Sequence, residues 1–443
     1  MCSLNFSTKP IDNIDFKNRF LKLRGPDATK IETYNGYIFL HNLLSITGSF
    51  TPQPLVEDDI VVLFNGEIYN FKDFGDYDND TKCIIPLYKA EGEDFVSKLD
   101  GEFAIVLVDF KNNTVIITGD IFGTKPLWYA IEGTNIGAAT YKSGLEGTFK
   151  DIKKFKANTT LIFNLKTGEY KTKSVYDFDL SQYKDNFDDW NSAFAKSIFK
   201  RSCQNIKEKI FIGLSSGYDS GTIVSEMIRQ GAGFTAYSVT GSENVDVLNR
   251  RYHILRNYPK AGLKILTITP QMREAAHNYI VNNTEEWKYT IYSQRSSYNE
   301  FDLSLWDDNG ANGLSHVCSH GKADGRKIFL SGAGADELFS DYGWGGYSKY
   351  NHSNFGGLFP ADLKTIFPWA SFFGSSMESY LMKDEFVCGS YGIEGRYPFL
   401  DKMVVQEFLW LKVNLKNDKY KYVLDNHLTT NNFPFCPNQK IGF

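Results

Sequence analysis

A strand–turn–helix–strand succession in the second half constrains this chain most. Lys209–Leu214 is a short apolar run that passes directly into Ser215-Ser216-Gly217-Tyr218-Asp219-Ser220-Gly221, then into a helical stretch at Thr222–Arg229 and a strand at Thr235–Val239. That order is a βαβ unit and implies a parallel sheet. A further strand, Lys327–Leu330, ends in a second small-residue turn, Ser331-Gly332-Ala333-Gly334-Ala335-Asp336-Glu337. Two strand-end turns in one parallel sheet face the same crevice, where open α/β sheets bind ligands. Small residues let the backbone approach a polyphosphate, and helix-start N–H groups and serine hydroxyls bind its oxygens. Asp219 and Asp336 make a pair of Mg²⁺ ligands around ATP. A generic tight turn is the bland alternative. Against it, two Ser, a Gly, an Asp and a Ser stand in fixed register after an apolar strand.

The first ~165 residues follow a different pattern. Gly36–Leu40, Asp59–Phe64, Phe103–Val108 and Thr114–Ile117 are short β-branched or aromatic runs bounded by Gly, Asn or Asp. A helical stretch at Lys82–Leu99 sits among them, which suggests layered sheets with helices outside. Lys166–Trp190 is polar and acidic and reads as a linker or docking segment. Helical spacing resumes at Trp190–Ile206, and the tail from Asp362 is mostly helical.

With 443 residues, the length suggests two or three domains. The chain carries 48 Lys and Arg against 53 Asp and Glu, a net −5, which argues against a nucleic-acid groove as its main business. No apolar run approaches the ~20 residues of a membrane helix, and MCSLNFSTKPIDNID is not a secretory signal. The six cysteines are scattered without a CxxC pair, as reduced cytosolic thiols are, and a cytoplasmic location is expected. His316 and His320 share a helix face while Cys318 points elsewhere, so this segment reads as a surface helix rather than a metal site. The aromatic share of 15% is accounted for by large cores and heavy packing between domains.

Cys2 is the other reactive candidate. Removal of Met1 would leave its α-amine, with a pKa near ~8, as the thiol's own base. Asn65-Gly66-Glu67 offers a side-chain amide and a backbone N–H, which a tetrahedral intermediate needs as an oxyanion hole, although NGE by itself is a turn.

Taken together, Cys2, RGPD at Arg24–Asp27, NGEIYN at Asn65–Asn70, DGEFA at Asp100–Ala104 and FGTKPL at Phe122–Leu127 resemble a class-II glutaminase domain. LSSGYDSG, LSGAGADE and the run Glu394–Asp401 resemble the synthetase domain of glutamine-dependent asparagine synthetases, and the motifs arrive in family order. The resemblance implies an α+β N-terminal-nucleophile αββα sandwich over 2–165 and a linker over 166–189. An α/β pyrophosphatase-loop domain, adenine nucleotide alpha hydrolase-like with a helical C-terminal part, would cover 190–443. It implies that Cys2 attacks the glutamine amide, that Asn65 and Gly66 hold the oxyanion, and that Glu67 and Asp80 receive the glutamine amine. ATP would be bound by Leu214, Ser215, Val239, Ser331 and Gly332, with Ser215, Gly217, Asp219 and Ser220 on the leaving pyrophosphate and Lys421 supporting adenylation. Ammonia would cross a tunnel and attack an acyl-adenylate made from aspartate or another carboxylate, a sugar acid or metabolite. Intramolecular amide closure of the β-lactam synthetase kind is a further reading, against which Cys2 speaks. A decayed, scaffold-like site is the contrary reading, and the intact Ser215, Gly217, Asp219, Ser220 and Asp336 argue against it. The oligomeric state stays open, a homodimer among the options.

Several positions depart from the family pattern. Leu43 stands where an arginine usually binds the glutamine carboxylate, and Ala333 where a glutamate usually flanks the reacting carbonyl. Ser216 replaces a glycine of the turn, Gly119 an arginine before Asp120, and the chain stops at Lys440–Phe443 where typical members continue.

Overall fold

The computed structural model describes residues 2–204, 206, 208–239, 241, 243–292, 300–350 and 352–439, so the terminal Lys440–Phe443 lies outside the described residues. The chain divides into two units. The first runs to Asp177 and also takes in Asn283–Glu285 and Cys388–Glu394, and the second holds the remainder.

The first unit is built on two six-stranded sheets. One orders Lys153–Lys154, Trp128–Glu132, Asn135–Ala139, Ser3–Ser7, Tyr37–Leu43 and Ala28–Tyr34, and the other Tyr170–Ser174, Thr159–Asn164, Thr114–Gly119, Gly101–Asp109, Ile60–Ile68 and Leu55–Glu57. Both are antiparallel throughout. Alternation along Ile60–Ile68 explains the layering. Val61 and Leu63 join a core with Leu4, Phe6 and Phe39 of the other sheet. Ile60, Val62 and Phe64 point the opposite way, into a core closed by Ile84, Leu87 and Phe95. The helix expected over Lys82–Leu99 is three pieces: the α-helix Ile84–Glu91 between 3₁₀ turns at Asp80–Cys83 and Gly92–Lys98. Gly92, at φ 59° and ψ −138°, breaks the helical path.

In the second unit, Ala261–Leu266, Phe234–Val239, Lys209–Gly213 and Arg326–Leu330 lie side by side and parallel, and the sheet's far edge is Glu394–Arg396, which the second unit holds from Gly395 on. Phe234–Val239 therefore lies on one side of Lys209–Gly213 and Arg326–Leu330 on the other. The sheet's order reverses there, and both small-residue turns leave from that point. The helix after the first turn, Tyr218–Arg229, begins four residues earlier than its apolar pattern suggested, because Gly217 is its N-cap. Aromatic side chains fill this unit's core, with Phe194 stacked between Trp190 (centroids 5.3 Å apart) and Phe399 (5.2 Å). The surface reading of the His316–His320 segment is corrected. In the helix Asn309–Ala323, His316 and Cys318 are both buried, because Val317, Cys318 and Ala311 turn an apolar side to the core. The two imidazoles lie 4.8 Å apart, and among the described residues no cluster of metal-ligating side chains forms.

Candidate active sites

In the first unit Cys2 is buried beside the start of Ser3–Ser7, and its thiol donates to the Leu44 carbonyl at 3.8 Å. Burial pushes the thiol up to about 11, and the carboxylates of Glu394 and Asp80 add to the shift. Arg24 fixes the residue from the other side, its Nε donating to the Cys2 carbonyl at 3.1 Å and its Nη1 to the Tyr141 hydroxyl at 2.9 Å. The loop that receives the thiol continues to Thr47, whose hydroxyl donates to both Glu67 oxygens at 2.9 and 2.8 Å. One short loop thus touches both Cys2 and Glu67.

Asn65, Gly66 and Glu67 follow one another near the end of Ile60–Ile68. Both polar atoms of the Asn65 amide are buried without a protein partner among the described residues. A buried amide left unpaired is costly, and it marks a group held ready for something else. Gly66 has φ +144°, and a Cβ there would stand 2.0 Å from the Glu102 carbonyl oxygen, so no side chain fits. Asp80 accepts from the backbone N–H of Ile68 at 3.0 Å and of Thr81 at 2.9 Å, which ties it behind Glu67. Leu43 is buried at the end of Tyr37–Leu43, with an apolar side chain where a cation was sought. Arg24, the alternative cation, is engaged with Cys2 and Tyr141.

In the second unit Leu214, Ser215, Asp219, Ser220, Val239, Ser331, Gly332 and Asp336 line one cavity of about 760 Å³. Gly217 is outside the lining, and its N–H donates to Ser215 Oγ at 3.1 Å. Ser215 and Ser220 share a hydroxyl contact of 2.9 Å. The two turns touch, since a Cβ on Gly332 would stand 3.0 Å from that of Asp219. Lys421, the N-cap of Tyr422–Thr430, reaches both turns. Its Nζ lies 2.6 Å from Asp219 Oδ1 and 2.7 Å from Asp336 Oδ1. Burial pulls this ammonium down, but the two carboxylates outweigh burial and hold it above the ordinary lysine value. Two carboxylates converging on one cation fit an oxygen-ligated Mg²⁺ that would share its coordination with phosphates. Beside them burial raises Glu337 to about 7, with Asp336 adding to the shift, and burial raises Asp384 to about 6. Asp384 accepts from Ser331 Oγ at 2.6 Å.

Two contributors escaped the sequence reading. The Glu243 carboxylate accepts from Ser216 N–H at 2.6 Å and also from the Ser216 hydroxyl, so the serine at this position is matched by a partner. Arg251 lies under the same turn, donating from Nη1 to the Ser215 carbonyl and from Nε to that of Pro434. Gly221 makes room for it, because a Cβ there would stand 2.3 Å from Arg251 Nη2. That glycine, early in a helix, was the one local sign of a close packing partner.

Residues 1–176 match the glutamine amidotransferase domain family. The first unit is accordingly a class-II glutamine amidotransferase domain. The chain is 26% identical over 410 residues to putative asparagine synthetase (glutamine-hydrolyzing) 1 of Methanocaldococcus jannaschii, covering 85% of this chain and 69% of that protein. It is 25% identical over 481 residues to asparagine synthetase (glutamine-hydrolyzing) 3 of Arabidopsis thaliana, covering 99% and 76%. As a whole the chain is thus similar to glutamine-hydrolysing asparagine synthetases, which places it among glutamine-dependent amide-forming enzymes. Among solved structures, glutamine phosphoribosylpyrophosphate amidotransferase from B. subtilis aligns at TM-score 0.34 and 14% identity, over 60% of this chain and 81% of that one, too slight a likeness to argue from. No helix among the described residues is long and apolar enough to cross a membrane.

Proposed function

We propose that the protein is a glutamine-dependent, ATP-consuming amidotransferase that joins ammonia to a carboxylate. In the first unit, Cys2, freed of Met1, attacks the glutamine side-chain amide. The unpaired Asn65 amide and the Gly66 N–H receive the oxyanion, and Glu67 and Asp80 receive the glutamine amine. In the second unit, a pyrophosphatase-loop fold, Leu214, Ser215, Val239, Ser331 and Gly332 bind ATP. Ser215, Gly217, Asp219 and Ser220 hold the departing pyrophosphate. Asp219 and Asp336 would hold Mg²⁺, which shields phosphate charge when bound. Lys421 keeps a positive charge beside the reacting phosphate. A carboxylate is a poor electrophile until AMP is its leaving group, so adenylation must precede attack by ammonia.

The observation that carries this reading is the convergence of Asp219 and Asp336 on Lys421, where the two turns meet. The names of the relatives point to aspartate as acceptor, whereas Ala333, where a glutamate would flank the reacting carbonyl, points to a different acid. Amide formation with glutamine or with ammonium salts tests the scheme. Cys2→Ala is expected to abolish the first and keep the second. Asp219→Asn is expected to abolish ATP–pyrophosphate exchange while glutamine hydrolysis survives. Equal loss of both nitrogen sources in Cys2→Ala, or full exchange in Asp219→Asn, would overturn the assignment.

A further inference from the structure

We infer that the acceptor activated in the second unit is a monocarboxylic acid with an aromatic body, and that a second carboxylate is excluded. This rests on the reading of that cavity as an ATP-dependent carboxylate-activating site. Asp219, Asp336 and Lys421 mark where the reacting phosphate lies, and Leu214 and Val239 lie on the nucleotide side. The remaining lining, from Glu337 to Tyr342, Tyr350, His352 and Tyr380, is left for the acceptor.

That side is walled by rings. Tyr342 lies with its centroid 4.2 Å from His352 and 6.0 Å from Tyr350, and Tyr380 lies 6.0 Å from His352 and 6.2 Å from Tyr289. The interplanar angles at these four contacts run from 65° to 79°, so ring edges meet ring faces and the side is lined by aromatic rings. The wall is held in place before any substrate arrives. Tyr342 donates its hydroxyl to Glu337 at 2.5 Å. The buried Asp341 carboxylate accepts from Ser353 Oγ, from the N–H groups of Asn354, Phe355 and Gly356, and from the Asn354 amide, which fixes the loop following Tyr350 and His352. Ala333, which ends at its Cβ, lines the same cavity.

Charge completes the argument. Glu337, Asp384 and Asp308 all line this side. The wall's lysine, Lys383, is already committed, 3.6 Å from Asp308 and 4.6 Å from the Tyr380 ring centroid. An acceptor with a second carboxylate would bring it next to three acids and one neutralised cation. A single carboxylate, consumed in adenylation, meets no such obstacle, and an aromatic body matches the rings.

ATP–pyrophosphate exchange by the full chain with MgATP tests this, with benzoate, 4-hydroxybenzoate, phenylalanine, acetate, glucuronate, aspartate and glutamate as acids. The aromatic acids are expected to lead, with kcat/KM at least about tenfold above the others. Tyr380→Ala should raise the KM of the best aromatic acid by about tenfold and leave the KM for ATP in place, whereas Tyr380→Phe should preserve both. Exchange led by aspartate, glutamate, glucuronate or acetate would overturn the acceptor assignment while leaving carboxylate activation standing. An unchanged acid KM in a folded Tyr380→Ala would do the same. No exchange with any acid, by protein whose circular dichroism shows it folded, would overturn both.

Discussion

Asn65→Ala is expected to separate activity from stability. The Asn65 side chain is fully buried, and neither its Nδ2 nor its Oδ1 has a protein partner among the described residues. Leaving such a group unpaired costs about 1–3 kcal/mol in the folded state. Truncation to Ala removes that penalty and leaves a cavity of a few tens of Å³, which at about 24 cal/mol per Å³ costs on the order of 0.5–1 kcal/mol. The balance lies between no change and a gain of about 2 kcal/mol in stability. Glutamine hydrolysis should instead fall by about 10²–10³ in kcat, the loss associated with one oxyanion donor. Urea unfolding and glutamate release, measured on the same preparation, check both halves. Asn65→Asp is the control: it keeps the shape but places a carboxylate where the donor stood, and it should be less active still. An Asn65→Ala protein with wild-type kcat would refute the oxyanion role, and one destabilised by more than about 2 kcal/mol would refute the idea that the amide is held at a cost.

Three further outcomes are expected. Leu43→Arg should lower the glutamine KM by about ten- to a hundredfold, the worth of a charged hydrogen bond, without changing ammonia-dependent turnover; steady-state kinetics with the two nitrogen sources decide it. Lys421→Met should destabilise the second unit by about 3 kcal/mol, because it strands the buried Asp336 carboxylate and the half-buried Asp219 beside it. Since the Lys421 pKa is raised in the fold, its contribution is complete below the ordinary lysine value and is lost only as pH rises through the higher folded one. The wild-type-to-variant gap in denaturant midpoint should therefore be flat between about pH 6 and 9. Finally, protein retaining Met1 should alkylate at Cys2 with a rate still rising above pH 9, following a thiol pushed up to about 11, while processed protein should show an inflection near the α-amine value of ~8; iodoacetamide labelling read by mass spectrometry separates the two.

The parts of the molecule legible in the sequence are those fixed by neighbours along the chain. Strands such as Gly101–Asp109 announce themselves by β-branched runs between turn residues, and the two small-residue turns by following a strand. Their meeting was also legible, because a parallel sheet brings successive strand ends to one edge. What stayed hidden depends on contacts between segments that are not neighbours in the chain or on which side of a helix is covered. Asp341 holding the loop at Ser353–Gly356 and the joining of Cys388–Glu394 to the first unit have no local signature, and Arg251 under Ser215 is signalled only by the glycine at position 221. The burial of His316 was missed because Gly and Ser dilute the apolar pattern of its helix.

The departures from the family pattern fall unevenly over the two reactions, and the structure explains the unevenness. At the phosphate side, Ser216 is accommodated by Glu243, and Asp219, Asp336 and Lys421 form a closed charge set. Loss of Lys421 would leave the buried Asp336 charge without its cation, and loss of either carboxylate would leave the buried ammonium with one partner in place of two. In the proposed scheme Leu43 and Ala333 belong to the other kind of position, assigned to what a substrate carries beyond its reacting group. Substituting such a residue strands no charge within the protein and alters only which molecule fits. On the proposed scheme, a chain in which the charge set is intact while both recognition positions are changed would retain the means to activate a carboxylate and to release ammonia. Its difference from the named relatives should then lie in the choice of acceptor and in its hold on glutamine, and acceptor profiling and glutamine KM are the two measurements on which it should stand apart.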